Sequence, residues 1–191
     1  MEKKTKKPDR RTEKTKELIK SALLNILKNK PFPKISVTEI CQECNINRGT
    51  FYLHYLDLYD VLDEILNDIL SCTADMIDHV LCPERIKGTC TYPFCEIIHT
   101  EEKYRPIFLD DTIASTFIEK AAESGKERFV TWLMSHSLLT FEEAEAVFYF
   151  QMNGCLAINR TALKNHCTDW HKIQKVIDQF IKAGLESYLI R

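Results

Sequence analysis

The polar side chains best suited to contact a ligand lie close together in the stretch RGTFYLHY, residues 48–55. If this stretch is a short helix, Phe51 and Tyr55 lie four residues apart and pack inward together. The residues that then face outward are Arg48, Gly49, Thr50, Tyr52, Leu53 and His54. Arg, Thr, Tyr and His side chains on an exposed helix are suited to contacts with the phosphates and base edges of nucleic acid.

A second short helix is predicted just before this stretch, and a tight turn joins the two. Ser36 and Glu39 have the spacing of a capping box, which marks a helix start. Asn45 suits the left-handed end of that helix, and Asn47 can cap the helix that begins at Arg48. The pattern predicts a DNA-binding helix-turn-helix. The alternative is an ordinary helical hairpin with a polar outer face, since such units also occur in proteins that do not bind DNA.

The charge of the chain is divided unevenly along its length, although the net charge is only −2. Residues 1–56 carry thirteen Lys or Arg against six Asp or Glu, whereas residues 57–191 carry thirteen against twenty-two. A basic part that contains the helix-turn-helix is the pattern expected of nucleic-acid binding. Residues 1–10 form a basic arm, interpreted as a solvated terminus or as a segment that lies along DNA.

Residues 11 to about 66 resemble the TetR family of bacterial transcriptional regulators. The resemblance is carried by Leu23–Leu27, by the run SVTEICQECNIN and above all by RGTFYLHYLDLYDVL. Two positions depart from the family pattern: Asn45 stands where Gly is usual, and Leu58 where a phosphate-contacting Lys is usual. The resemblance implies a two-fold dimer on a palindromic operator, with effector binding in the second domain moving the fourth helix.

Apolar residues at helical spacing, without strand-like alternation, predict an all-α fold. The predicted parts are the arm at 1–10, a three-helix DNA-binding domain at 11–56 and a helical regulatory and dimerisation domain at 57–191. Residues 57–82 are expected to form the connecting helix, with Asp57 as its cap. A loop at 83–93 and helices at about 94–103, 111–135 with Gly125 as a candidate break, 141–164 and 169–190 follow. Thr140 and Thr168 are the predicted caps of the last two helices.

The last two predicted helices each have an apolar face that is too broad to be left exposed to water. We expect them to form a homodimer interface of four helices, two from each chain. Gly154 marks the expected close crossing, and Leu156 and Ile158 are expected to share its buried surface. The same domain contains a candidate effector pocket, for which plain core or dimer interface is an equal alternative; its residues are Phe108, Trp132, Phe148, Tyr149 and Met152.

Eight cysteines invite a metal or redox interpretation. Cys41 and Cys44 fall on the expected buried face of their helix, where free Cys behaves as a small hydrophobe. A looser group that matches no common zinc spacing is formed by Cys82, Cys90, Cys95 and His99. We predict no metal and no cofactor, and a redox switch stays an alternative.

No signal peptide and no membrane-spanning run is recognised, so we expect a cytoplasmic protein without membrane contact. No Gly-rich phosphate loop, GxSxG or HExxH motif indicates an enzyme. The predicted function is a sequence-specific transcriptional regulator, a dimeric repressor released from palindromic double-stranded DNA by a small-molecule effector. Alternatives are an activator, a helical protein-interaction module, and a regulator that senses metal or redox state through its cysteines. The predicted DNA-binding residues are Thr38, Arg48, Gly49, Thr50, Tyr52, Leu53 and His54.

Overall fold

The computed structural model describes residues 10–80 and 101–190, and within these ranges it contains helices and no strand. The helices are α1 Arg10–Leu27, α2 Val37–Glu43, α3 Arg48–Tyr52, α4 Leu58–Val80, α5 Arg105–Leu109, α6 Ala114–His136, α7 Phe141–Lys164 and α8 Trp170–Glu186. Short 3-10 turns lie at Phe32–Lys34 and Glu102–Tyr104. The all-α prediction is confirmed for the part of the chain that the structure describes.

The chain divides into two compact units, residues 1–65 and 66–191, so the division falls inside α4. The sequence placed the division earlier, between residues 56 and 57. The first turns of α4 belong to the first unit because Val61, Leu62 and Ile65 are buried. Glu64 on the same turns forms an ion pair with Lys16 of α1.

The first unit packs α1 to α3 and the start of α4 around buried aliphatic and aromatic side chains. Its fully buried residues include Ile19, Leu23, Ile40, Phe51, Val61 and Ile65. A charged network lies beside this core. The Nζ of Lys16 is 2.6 Å from Glu64 Oε2, the Nζ of Lys20 is 3.5 Å from Glu64 Oε1, and the Lys16 ammonium is 5.1 Å from the centre of the Tyr55 ring.

In the second unit, α6 packs along α7 through a cluster formed by Phe129, Val130, Leu133, Ala144 and Phe148. The α6 helix continues without a break through Gly125, where the sequence allowed one. On α5, the ring of Phe108 contacts that of Phe117 at a centroid distance of 5.2 Å. The last helix packs on α7 through Trp170 and Ala162.

Most helix caps follow the sequence prediction. Capping boxes begin α2 and α7, and the Asp57 carboxylate accepts two backbone N–H groups at the start of α4. The predicted cap of the last helix is wrong. Asp169, and not Thr168, precedes α8 and accepts a hydrogen bond from the backbone N–H of Lys172. The helix begins at Trp170, so the cap is the residue just before it, and a carboxylate there also faces the positive end of the helix.

Several predicted features lie outside the described residues. They are residues 1–9 of the basic arm, the loop at 83–93, the predicted helix up to residue 100, and Cys82, Cys90, Cys95 and His99. Among the helices that the structure does describe, none combines the length and apolarity needed to cross a membrane.

The Glu64 network predicts a pH dependence of stability. Burial raises the pKa of Glu64, but the hydrogen bond from Lys16 and the charges of Lys16 and Lys20 outweigh burial, so the pKa is lowered from 4.5. A carboxyl with a lowered folded pKa stabilises the protein above its unfolded pKa, and this contribution is lost as pH falls through the folded value.

We therefore expect Glu64→Gln to reduce the unfolding free energy at neutral pH by up to about 1 kcal/mol, the usual size for a partly exposed pair. The difference between the two proteins should shrink as pH falls below 4.5. Urea denaturation at a series of pH values measures it. A difference that stays constant down to pH 2 would contradict the assigned role.

Candidate nucleic-acid interface

The turn between α2 and α3 depends on a left-handed residue. Asn45 has φ 52°, and the backbone N–H of Ile46 donates to the carbonyl of Cys41 at 2.9 Å. The N–H of Asn45 itself donates to the carbonyl of Gln42. This is the hydrogen-bond pattern of a Schellman motif, which ends a helix and reverses the chain. The predicted left-handed role of Asn45 is confirmed.

The start of α3 is fixed by Asn47. Its Oδ1 accepts hydrogen bonds from the backbone N–H of Thr50 at 2.8 Å and from the Thr50 hydroxyl at 3.0 Å. Gly49 leaves room for this cap, because a Cβ at that position would lie 3.3 Å from the same oxygen. The cap thus uses the Thr50 hydroxyl internally, and Thr50 is half-buried rather than freely outward.

Two aromatic side chains fix the rotation of α3 about its axis. Phe51 and Tyr55 are both buried, and their ring centres are 5.9 Å apart. Because these two residues face inward, the opposite face of α3, which carries Arg48 and Tyr52, lies toward solvent. The inward packing predicted from their spacing is therefore present.

Arg48 and Tyr52 form a contact on the outer face of α3. The Nη2 of Arg48 donates to the Tyr52 hydroxyl at 3.2 Å, and the guanidinium carbon is 5.8 Å from the centre of the Tyr52 ring. The hydrogen bond to Tyr52 raises the pKa of Arg48, which stays fully charged. This bond was not predicted from the sequence, although the four-residue spacing of Arg48 and Tyr52 was the signal for it.

The remaining predicted contact residues lie on or next to the same face. Leu53 is 82% exposed at the end of α3, His54 is half-buried, and Thr38 is exposed on α2. Leu58, at the family's phosphate-contacting position, is buried. Its side chain belongs to the core and offers no donor to a phosphate.

Three basic side chains elsewhere in the first unit are engaged in ion pairs. Lys30 is 2.6 Å from Glu39, and that hydrogen bond is the main cause of a lowered Glu39 pKa. Lys16 and Lys20 contact Glu64. Arg48 differs from these three, because its described hydrogen bond is to a neutral hydroxyl. Its full positive charge is therefore presented on α3.

Four of the five predicted effector-pocket residues lie around one cluster of α6 and α7, where the ring centre of Tyr149 is 5.5 Å from that of Phe148. Phe148 belongs to the buried α6–α7 cluster, and Trp132 and Met152 pack against that cluster. Phe108 contacts Phe117, and Tyr149 is partly exposed, with its ring 5.6 Å from the Lys126 ammonium.

The described cysteines are free thiols. Cys41 is buried and Cys44 partly buried on α2, and burial is the first cause of the raised pKa of both. A raised pKa disfavours the thiolate that metal binding and oxidation require. Among the side chains that the structure describes, no three from His, Cys, Asp or Glu are grouped so as to hold a metal ion.

The fold and this geometry define an all-α protein whose first unit carries a helix-turn-helix with a capped, outward-facing second helix. No family model matches the chain. A 78-residue stretch, 40% of the chain, is 36% identical to the uncharacterized HTH-type transcriptional regulator YxbF of Bacillus subtilis strain 168. That match spans only 20% of the relative. Among solved structures, the dihydroxyacetone kinase operon activator DhaS matches with a TM-score of 0.47 and 16% identity, over 92% of this chain and 98% of that one.

The turn geometry predicts opposite outcomes for two substitutions at Asn45. An alanine in the left-handed region is disfavoured by about 1 kcal/mol, whereas glycine adopts it without steric cost. We expect Asn45→Ala to lower the unfolding free energy by about that amount and Asn45→Gly to leave it unchanged or raise it slightly. Thermal or urea unfolding of the three proteins measures this, and equal losses in both variants would contradict the assigned geometry.

Proposed function

We propose that the chain is a sequence-specific DNA-binding transcription regulator in which α3 enters the major groove. The observation that carries the proposal is the exposed Arg48–Tyr52 pair on the second helix of a helix-turn-helix. An arginine at the start of such a helix can donate two hydrogen bonds to the O6 and N7 of guanine. The Tyr52 hydroxyl, which accepts from Arg48, keeps its own proton for a phosphate oxygen.

Two further observations support this reading. The basic charge of residues 1–56 matches the electrostatic requirement for binding a polyanion. The relative YxbF carries the name of an uncharacterized HTH-type transcriptional regulator. Together they favour DNA over a protein partner for the exposed face of α3.

The regulator is proposed to be of the TetR type: a dimeric repressor on a palindromic operator, released by a small-molecule effector that residues 66–191 sense. The helix α4 supports this arrangement, because one continuous helix carries residues of both units. A packed helix that crosses the boundary can transmit a displacement from one unit to the other. The proposal assigns the chain no catalytic reaction.

The dimer is proposed from the outer faces of α7 and α8. Phe150 on α7 and Val176 and Phe180 on α8 are large apolar side chains exposed by 61–70%. An open groove of about 510 Å³ lies between the end of α7 and the start of α8, and its lining includes Ala157 and Ile173. A second copy of the chain would cover the same faces by two-fold symmetry, as an isologous interface requires.

The two glycines of these helices fit a close approach by a partner. A Cβ added at Gly154 or at Gly184 would meet no described atom within 4 Å other than its chain neighbours and the backbone of its own helix. Glycine inside a helix is disfavoured by about 1 kcal/mol relative to alanine, and nothing in the described part of the subunit requires it at either position. By contrast Leu156, which the sequence assigned to the interface, is buried within its own chain and does not report on a partner.

For the dimer we expect Phe180→Glu to separate the subunits while leaving each one folded, because Phe180 is 67% exposed in the single chain. Sedimentation at micromolar concentration should give twice the chain mass of 22.3 kDa for the wild type and the single mass for the variant. Gln179→Glu, an exposed neighbour, is the matched control and should stay dimeric. A monomeric wild type, or a dimeric Phe180→Glu protein, would reject this interface.

The experiment that tests the proposed function is selection of bound sequences from a random double-stranded DNA pool. We expect the wild-type protein to enrich a palindrome with two equal half-sites. The Arg48→Ala protein, tested in parallel, should enrich it weakly or not at all. A wild-type protein that enriches no sequence, while remaining folded and dimeric, would contradict sequence-specific DNA binding.

On the selected site, Arg48→Ala should weaken binding about tenfold to a hundredfold, the usual effect of losing a bidentate guanine contact. Scrambled DNA should show a smaller loss. Arg48→Lys, which keeps the charge but not the fork of donors, should lose discrimination in the same way. Tyr52→Phe should weaken binding to the selected site and to scrambled DNA by similar factors, because a phosphate contact carries no sequence information. If Arg48→Ala lowered the affinity for both DNAs equally, Arg48 would contact the DNA backbone and not a base.

A further inference from the structure

Leu53 is the most exposed large apolar residue of the helix-turn-helix. It is 82% exposed, and it ends α3 with helical backbone angles, φ −73° and ψ −20°. Its backbone N–H donates to the carbonyl of Gly49 at 3.2 Å. The backbone of Leu53 is therefore fixed at the end of α3, and its side chain projects into solvent there, next to Tyr52 in the chain.

A lone exposed leucine is common on protein surfaces, so exposure alone assigns it no role. Its position gives it one, because α3 is the helix proposed to lie in the major groove. A leucine has no hydrogen-bond donor or acceptor. The one apolar group that a base edge presents in the major groove is the C5-methyl of thymine.

We propose that Leu53 is a specificity-determining residue that selects thymine in each half-site through contact with the C5-methyl group. This inference rests on the proposed function and extends it from Arg48, which reads guanine, to a second base. Arg48 at the start of α3 would then select a G·C pair by hydrogen bonds, and Leu53 at its end would select a T·A pair by an apolar contact. Removal of the thymine methyl should weaken binding about fourfold, which corresponds to one buried methylene-sized group.

The test replaces each thymine of the selected site, one at a time, by deoxyuridine, which lacks only the methyl group. For the wild-type protein, deoxyuridine at one symmetry-related position should weaken binding about fourfold per half-site. For Leu53→Ala, the affinities for thymine and deoxyuridine at that position should be equal. Because Leu53 is exposed, the variant should unfold at the same urea concentration as the wild type.

Leu56→Ala is the matched control. Leu56 is a leucine of almost equal exposure, 81%, that lies beyond the end of α3. This variant should keep the full preference for thymine over deoxyuridine. The inference is overturned if no thymine position is sensitive in the wild type, if the sensitivity survives in Leu53→Ala, or if Leu56→Ala abolishes it equally. Failure of the wild type to prefer any sequence would instead overturn the proposed function.

Discussion

The buried pair Phe51 and Tyr55 is the constraint on which the rest of the candidate interface depends. The two aromatic rings are four residues apart, one in α3 and one just beyond its end, and burial of both leaves so short a helix one orientation about its axis. A five-residue helix has almost no stability of its own, so its existence and its orientation both come from this packing. The exposed positions of Arg48, Tyr52 and Leu53 are consequences of it.

Local hydrogen bonds then define where α3 begins. The left-handed Asn45 ends α2, and Asn47 caps α3 within two residues. Such a short connection restricts the orientation of α2 relative to α3. A surface proposed to match the spacing of base pairs requires this rigidity. The Lys16–Glu64–Lys20 network joins α1 to the start of α4 beside the same core. It also engages the ammonium groups of two lysines in the fold.

The sequence predicted the helix-turn-helix well because its signals are local. Capping residues, the left-handed Asn45 and the Phe51–Tyr55 spacing each act within four residues. Features that depend on packing between distant segments were not predictable in this way. Neighbours in three dimensions decide whether Leu156 faces its own chain or a partner. They also decide which turns of α4 join the first unit. Asp169 was missed for a different reason: two adjacent residues, Thr168 and Asp169, can both cap, and only the true helix start chooses between them.

The central claim is that α3 of each subunit occupies the major groove, and dimethyl sulfate footprinting tests it most directly. This reagent methylates the N7 of guanine in the major groove and the N3 of adenine in the minor groove. On the selected DNA, the account predicts protection of guanine N7 at two symmetry-related positions, with protection lost in the Arg48→Ala protein at concentrations that still saturate the DNA. Protection confined to adenine N3, or guanine protection that is unchanged in Arg48→Ala, would contradict it.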